Sequence, residues 1–350
     1  MEEDKIITVK LASRAGRKEG GTDLSNQCPN NKPQWGKCRF ISSLFAENYD
    51  WLVLVDDFSP LLQGRQELLR CPQSQTILLT TEPESVTHYG KAFAAQFAHV
   101  ITNQDETALP HHNAVRSQTG NVWYYGKSYA ELIQDSQPIK TEKLSTVCSA
   151  KKHVHTLHAR RHEFTHALKK DLPELEIFGR GIRFIEKKYQ ALDPYRFHLV
   201  IENHYGPNVW SEKLADAFLG YTVPIYYGCP NVLDYFPEDS LVQIDINDYA
   251  GTLQMIAKLI NTPGEYERRL RSVIEARRRV TETYNIASML SNFVESKSRQ
   301  NTNKNQIFLR SRKKIRSRNP AELTRYLSWH IRKICADGPK FTKTENMHEI

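Results

Sequence analysis

Short apolar runs recur along this sequence, and most of them close on turn-forming residues. Runs of four to eight apolar residues without alternation are typical of strands that are buried on both faces of a sheet. In the first part of the chain, the runs that predict strands are 6–11, 51–58, 76–83 and 97–103. The polar or irregular segments 12–37 and 104–145 predict loops.

A second series of strands alternates with amphipathic helical segments. Its predicted strands are 144–150, 175–179, 197–203, 223–228 and 241–246, and its predicted helices are 158–170, 211–219 and 249–261. This alternation predicts an α/β fold with two Rossmann-like, doubly wound domains facing a central cleft. We expect an N-terminal domain over 1–143, a second domain over 144–296 and a basic helical tail over 297–350.

The composition is that of an ordinary globular protein of 350 residues. No run of 18 apolar residues predicts a membrane-spanning helix. The first ten residues lack the basic and apolar regions of a signal peptide. The six cysteines have no paired spacing, which favours reduced thiols and a cytoplasmic location.

The net charge of +8 is unevenly distributed. Residues 297–350 contain 14 Lys and Arg against 4 Asp and Glu, so the rest of the chain is nearly neutral. A nearly neutral body gives no electrostatic footprint for nucleic acid, and we expect no nucleic-acid partner.

The strand–loop–helix unit of 196–230 carries the most informative polar residues. Its first strand ends at Asn203, and Ser211 is placed to cap a helix that opens with Glu212 and Lys213. A helix N-terminus with an adjacent lysine suits a phosphate. Glu212 could accept hydrogen bonds from ribose hydroxyls. The alternative is that Glu212 and Lys213 are solvent-exposed residues of the first helical turn and bind no ligand.

This unit resembles the donor-binding segment of the α1,3-fucosyltransferases of glycosyltransferase family 10. The family pattern is Phe/Ile-Glu-Asn at a strand end, Thr/Ser-Glu-Lys opening a helix, then Val-Pro-Ile/Val-x-x-Gly. The matching residues are 201–203, 211–213 and 223–228. The resemblance is close over about 40 residues and looser over 145–290. It implies a GT-B architecture, in which the C-terminal Rossmann-like domain holds GDP-fucose.

The resemblance also implies roles for individual donor-site residues. Lys213 would contact the diphosphate, Glu212 the ribose, and Asn203 would line the donor site. The family places a phosphate-binding arginine seven residues before a leucine of the first helix in that domain. Arg161 stands there and would contact the donor phosphates, with Arg160 as the alternative. The family usually has Tyr four residues before the lysine. This chain has Val209 there, so Tyr205 or Trp210 would supply the aromatic donor contact.

An inverting transfer needs one base to remove the proton of the acceptor hydroxyl. The resemblance places that glutamate at a strand end of the first domain, where Glu82 fits best and Glu84 is the alternative. The implied reaction moves fucose from GDP-fucose to a sugar hydroxyl of a glycan acceptor. It needs no cofactor, although a divalent metal could stimulate it. The acceptor would contact the loops 12–37 and 104–145.

Two alternative enzyme sites have weaker support. The pair Asp56–Asp57 at a strand end could hold a metal, but acids there are common turn formers. His158, His162 and His166 share one helix face at zinc-compatible spacing, but a solvated basic face explains them better. We therefore expect no metal site.

The basic tail has two interpretations. A run of basic residues over 310–318 precedes a helix that starts near Pro320 and carries an apolar stripe from Leu323 to Ile334. Over 310–335 the tail could contact an anionic membrane surface peripherally, or the stripe could pack on the body. Two alternative functions stay open: a transferase for another nucleotide sugar, and a non-catalytic protein that binds polyanions or membranes. The sequence does not indicate an oligomeric state.

Overall fold

The computed structural model describes residues 6–14, 23–62, 66–148, 157–179, 181–297 and 307–336. The predicted loop 12–37, the strand 144–150 and the tail 297–350 lie partly outside these residues. Among the described residues no helix combines the length and the apolar character that a membrane crossing requires.

The first sheet has seven strands in the order β2-β3-β1-β4-β6-β7-β8. They are β1 Ile7–Ser13, β2 Gln34–Trp35, β3 Cys38–Ile41, β4 Trp51–Val55, β6 Thr76–Leu79, β7 His99–Thr102 and β8 Ala114–Arg116. All pairs are parallel except β2 with β3. Strand β4 ends three residues before its predicted limit because Asp56 adopts a left-handed φ of 62° and turns the chain.

The second sheet has five parallel strands in the order β10-β9-β11-β12-β13. They are β9 Glu142–Val147, β10 Leu175–Phe178, β11 Tyr195–Ile201, β12 Val223–Tyr227 and β13 Val242–Gln243. The predicted strand over 241–246 is therefore only two residues long. The prediction of an α/β fold with parallel sheets is confirmed.

The helices are α1 Lys91–Ala94, α2 Tyr129–Gln134, α3 His158–Asp171, α4 Glu212–Leu219, α5 Tyr249–Asn261, α6 Glu265–Arg278, α7 Ile286–Glu295, α8 Arg312–Arg316 and α9 Pro320–Ala336. The predicted helices near 158–170, 211–219 and 249–261 correspond to α3, α4 and α5. Buried apolar residues of α4 pack with β11 and β12 in the core of the second sheet.

The chain after α6 returns to the first sheet. Ile286, Leu290 and Val294 of α7 share a core with Val9 and Trp51 of β1 and β4. Strand β14 Phe308–Arg310 pairs antiparallel with β5 Gln66–Leu68. We call the part of the molecule around the first sheet the first half, and the part around the second sheet the second half. Helix α7 lies inside the 144–296 range but packs on the first half. The described residues of the segment predicted as a tail also pack there.

Candidate functional site

A cavity of about 1090 Å3 lies between the carboxyl ends of the two sheets. The first half contributes Asp56, Glu82 and Asn103 to its walls, and the second half contributes Glu202, Asn203, Trp210, Ser211, Glu212 and Lys213. We call this cavity the cleft. It brings Glu82, Asn203, Glu212 and Lys213 into one space, although they come from different parts of the chain.

The start of α4 is organised by a buried carboxylate. Glu202 is only 2% exposed and accepts hydrogen bonds from the Ser211 amide at 2.8 Å and from its hydroxyl at 2.6 Å. The Ser211 hydroxyl in turn accepts from the Lys213 amide at 3.3 Å, as a helix cap does. Glu202 therefore holds the helix start rather than serving as a free acid in the cleft.

Lys213 is held in its charged form by two carboxylates. Its ammonium lies 3.4 Å from Glu202 and 3.1 Å from Glu212, and it also donates to the Ser211 hydroxyl at 3.0 Å. Burial opposes the charge, but the two carboxylates outweigh it and raise the pKa of Lys213. A fixed positive charge at a helix N-terminus is an arrangement that binds anions.

Glu212 is kept ionised in spite of its burial. Burial alone would raise the pKa of this carboxyl, but the charges of Lys213 and Lys188 lower it below the ordinary value. An ionised carboxylate accepts hydrogen bonds only, which suits two neighbouring hydroxyl groups.

Arg161 and Arg160 have different surroundings. Arg161 on α3 is 6% exposed, and it donates to the Asn203 side-chain oxygen at 2.7 Å and to the Ile201 carbonyl at 3.4 Å. It lines a smaller cavity of about 260 Å3 together with Asn203, Glu212 and Lys213. The guanidinium of Arg160 hydrogen-bonds to Asn247. The structure therefore groups Arg161, not Arg160, with the other predicted donor residues.

Glu82 follows β6 and faces the cleft with an exposed surface. Protein still surrounds its carboxyl closely enough that burial is the largest cause of its raised pKa. The charges of Asp56 and Glu212 raise the pKa further, whereas Lys213 and Lys333 lower it. A carboxylate with a raised pKa is a stronger base than an ordinary one.

The alternative Glu84 lies outside the cleft. It lines a neighbouring pocket, and its carbonyl accepts a hydrogen bond from the Trp329 indole at 3.0 Å. The loop between the two glutamates also touches the second half of the chain, since the Ser85 hydroxyl is 2.7 Å from Nδ1 of His204.

The two aromatic candidates are separated. Trp210 is 4% exposed and packs against Tyr235, Phe236 and Tyr284. It also lines the cleft. Its buried indole Nε1 has no hydrogen-bond partner among the described residues. Tyr205 is 53% exposed and stands beside Tyr227 in a separate pocket at the ends of β12 and β13.

The acid pair after β4 makes structural contacts. Asp56 accepts from the Thr81 amide at 2.7 Å and from the Tyr89 hydroxyl. Asp57 pairs with Arg312 at 3.1 Å. Within the described parts of the chain, no group of three or more His, Cys, Asp or Glu side chains is placed to hold a metal ion.

Several cleft residues were not identified from the sequence. Arg14 follows β1, and His158, which the sequence suggested only as part of a metal site, lies at the start of α3. The buried side-chain oxygen of Asn103, which follows β7, accepts no hydrogen bond among the described residues. Arg14 and Asn103 directly follow parallel strands, and ligands bind at the carboxyl ends of such strands. Both residues could therefore have been predicted from the sequence.

Comparison with known proteins gives a family match and a match to a curated relative. Residues 139–308 match the sequence model of glycosyltransferase family 10 (fucosyltransferase), C-terminal part. A segment of 60 residues is 37% identical to the alpha-(1,3)-fucosyltransferase FucT of Helicobacter pylori, and it covers 17% of this chain and 13% of that relative.

Two solved structures resemble this one over most of their length. A crystal structure of an alpha1,3-fucosyltransferase with GDP-fucose has a TM-score of 0.49 at 16% identity and covers 86% of this chain and 94% of that one. Another alpha1,3-fucosyltransferase structure has a TM-score of 0.48 at 17% identity, with 88% and 95% covered. The family match therefore shows a similarity of residues 139–308 to glycosyltransferase family 10, the fucosyltransferase family.

Proposed function

We propose that this protein transfers fucose from GDP-fucose to a sugar hydroxyl, with inversion at the anomeric carbon. One observation carries the proposal: Glu82 lies across one cleft from Glu212 and Lys213, near enough for their charges to alter its pKa. The two halves would then form a GT-B architecture, with the donor held by the second sheet and the acceptor by the first.

In the proposed reaction, Glu82 takes the proton of the acceptor hydroxyl. The hydroxyl oxygen attacks the anomeric carbon of fucose, and the bond from that carbon to the phosphate oxygen breaks. GDP leaves from the opposite face with the bonding electrons. A cation already in place on that developing charge can be worth about 3 kcal/mol.

The remaining donor contacts follow from the side chains at the second sheet. Lys213 binds the diphosphate as a point charge, and Arg161 holds Asn203 in the donor site and contributes to its positive potential. Glu212 accepts the ribose hydroxyls. Trp210 can offer its unpaired indole N–H, and Tyr205 lies beside the donor site. No metal is part of this mechanism.

Nucleotide binding gives the first test. GDP at 100 times its Kd should stabilise the protein by about 2.7 kcal/mol, whereas UDP at the same concentration should raise the melting temperature little. A response to UDP alone would favour another nucleotide sugar as donor. No response to any nucleotide, together with polyanion binding that is lost on deletion of 297–350, would favour a non-catalytic binding protein.

The assignment of the base needs a matched pair of variants. We expect Glu82→Gln to abolish transfer while GDP binding is kept, and Glu84→Gln to retain transfer. The two variants make the same chemical change two residues apart, and only Glu82 faces the cleft. Equal losses in both variants would contradict the assignment.

We also propose a peripheral membrane contact through 310–335, at the cytoplasmic face. Helix α9 leaves Leu323, Leu327, Ile331 and Ile334 on its exposed surface, next to the basic run over 310–318. Such a helix can lie in the interface of an anionic membrane. The double change Leu327→Ser and Ile331→Ser should reduce sedimentation with phosphatidylserine vesicles. Ile139→Ser, at another exposed isoleucine, should not.

A further inference from the structure

Helix α9 contacts the first half of the chain through one narrow stripe. Its less exposed residues Glu322, Tyr326, Trp329 and Lys333 recur at helical spacing, while their neighbours are exposed. The Trp329 indole donates to the Glu84 carbonyl, and the Lys333 ammonium donates to the Val86 carbonyl at 3.0 Å. The helix is thereby fixed beside the loop that follows Glu82.

A pocket of about 450 Å3 lies between this helix and the two halves of the molecule. We call it the helix pocket. Its walls are 83–85 and 103–105 from the first half, His204, Gly206, Pro207 and Val209 from the second half, and Trp329, Arg332 and Lys333. Pro83, Asn103, His204 and Val209 line both this pocket and the cleft. A ligand in the helix pocket would therefore be adjacent to Glu82.

Three polar groups of the helix pocket have hydrogen-bonding capacity left unused. Arg332 is exposed and makes no hydrogen bond or ion pair among the described residues. Lys333 uses one of its three N–H groups on Val86. The buried Asn103 side-chain oxygen is a free acceptor that needs a donor such as a hydroxyl group.

The acidic groups of the helix pocket leave this positive charge only partly balanced. Asp105 accepts from the Thr107 amide and hydroxyl and from the Ala108 amide, so its carboxylate is turned to its own loop. The Thr107 hydroxyl in particular lowers the pKa of Asp105. Burial lowers the pKa of His204, which favours its neutral form. Glu84 is the acid that remains to balance Arg332 and Lys333.

We propose that the helix pocket is an acceptor subsite for a sugar unit that carries a carboxylate. This rests on the proposed transferase function and adds the class of acceptor. The carboxylate pairs with the guanidinium of Arg332, which fits a carboxylate with two parallel hydrogen bonds. A ring hydroxyl donates to Asn103, and the neighbouring sugar unit places its own hydroxyl at Glu82. The C-terminal helix, rather than the loops 12–37 and 104–145 alone, then selects the acceptor.

The test compares two small probes that differ in charge. Methyl β-glucuronide and methyl β-glucoside are titrated into the full-length protein saturated with GDP, and binding is followed by ligand-observed NMR. We expect the glucuronide to bind about tenfold more tightly than the glucoside. Arg332→Gln should remove this difference, and Arg332→Glu should make the glucuronide the weaker ligand.

Arg318→Gln is the control, because it removes the same charge from the same segment at an exposed position outside the pocket. It should keep the preference for glucuronide. Equal binding of both probes to the wild-type protein overturns the proposal, and so does a preference that Arg332→Gln leaves intact. GDP stabilisation is measured in parallel, and its absence in the wild-type protein would count against the transferase function instead.

Discussion

The ammonium group of Lys213 lies 3.4 Å from the buried carboxylate of Glu202, at the first turn of α4. Glu202 also accepts two hydrogen bonds from Ser211, so the same carboxylate fixes the helix start and the lysine beside it. The site is therefore preorganised: the proposed donor would meet a cation whose position is already set.

Replacing Lys213 by methionine tests this cation. Lys213→Met keeps an unbranched side chain and removes the charge, and we expect kcat/KM for the donor to fall about 100-fold. GDP should also stabilise the variant less in thermal unfolding. Lys313→Met, on the exposed surface of α8, should behave like the wild-type protein. Unchanged kinetics in Lys213→Met would remove this residue from the diphosphate site.

The raised pKa of Glu82 leads us to predict how the activity depends on pH. The base must be ionised, and its pKa is raised by burial and by Asp56, so activity should fail on the acid side at a higher pH than an ordinary carboxylate would cause. Asp56→Asn removes a negative charge and should move the acid limb of kcat/KM to lower pH. Lys333→Gln removes a positive charge and should move it to higher pH.

These two variants control each other, because a general loss of structure would not shift the limb in opposite directions. The measurement is the pH profile of kcat/KM between pH 4 and 8. Shifts of the same sign, or an unchanged limb in both variants, would mean that Glu82 does not determine the acid limb. Asp56→Asn should also lower the rate, since Asp56 holds Thr81 next to Glu82.

The sequence predicted the central strands well because their apolar runs are continuous. It did not predict β3 or α7, although the apolar residues of α7 recur every three to four positions, as in a helix. The packing of α7 on the first sheet joins residues more than 200 positions apart, such as Val9 and Leu290. Local patterns carry no information about which sheet such a helix will cover.

The positions of four cleft residues were predicted for a related reason, while their roles stay predictions. The strand ends located Glu82 and Asn203, and the helix start located Glu212 and Lys213. The sequence could not show that Glu202 turns inward to the helix start, because that depends on the packing at Gly228. Nor could it show that Trp329 reaches Glu84, because the helix that carries it docks 245 residues away in sequence.

Gly228 gives a test of that packing. A Cβ at this position would lie 2.5 Å from Cγ and 2.7 Å from Cβ of the buried Glu202 side chain. We expect Gly228→Ala to cost about 1–3 kcal/mol of stability and to weaken GDP binding, because Glu202 leaves the start of α4. Full GDP affinity in Gly228→Ala would show that the contact is not needed for the donor site.

The buried ion pair between Lys10 and Glu67 should support the fold without taking part in the reaction. The two charges are 2.6 Å apart with side chains 2% and 8% exposed, and they join β1 to β5, which pairs with β14 ahead of the C-terminal helices. Glu67→Gln leaves a buried ammonium without its counter-charge, so the free energy of unfolding, measured by urea titration, should fall by about 3–5 kcal/mol.

The exposed pair Arg70–Glu47 provides the control. Its two charges are also 2.6 Å apart, and Glu47→Gln should lower the free energy of unfolding by less than about 1 kcal/mol in the same titration. Since neither pair lines the cleft, GDP affinity measured well below the unfolding transition should stay at the wild-type value in both variants. If both changes cost similarly little, the hydrogen bonds from the Lys10 ammonium to the Leu44 and Ala46 carbonyls would be sufficient to stabilise the buried charge without Glu67.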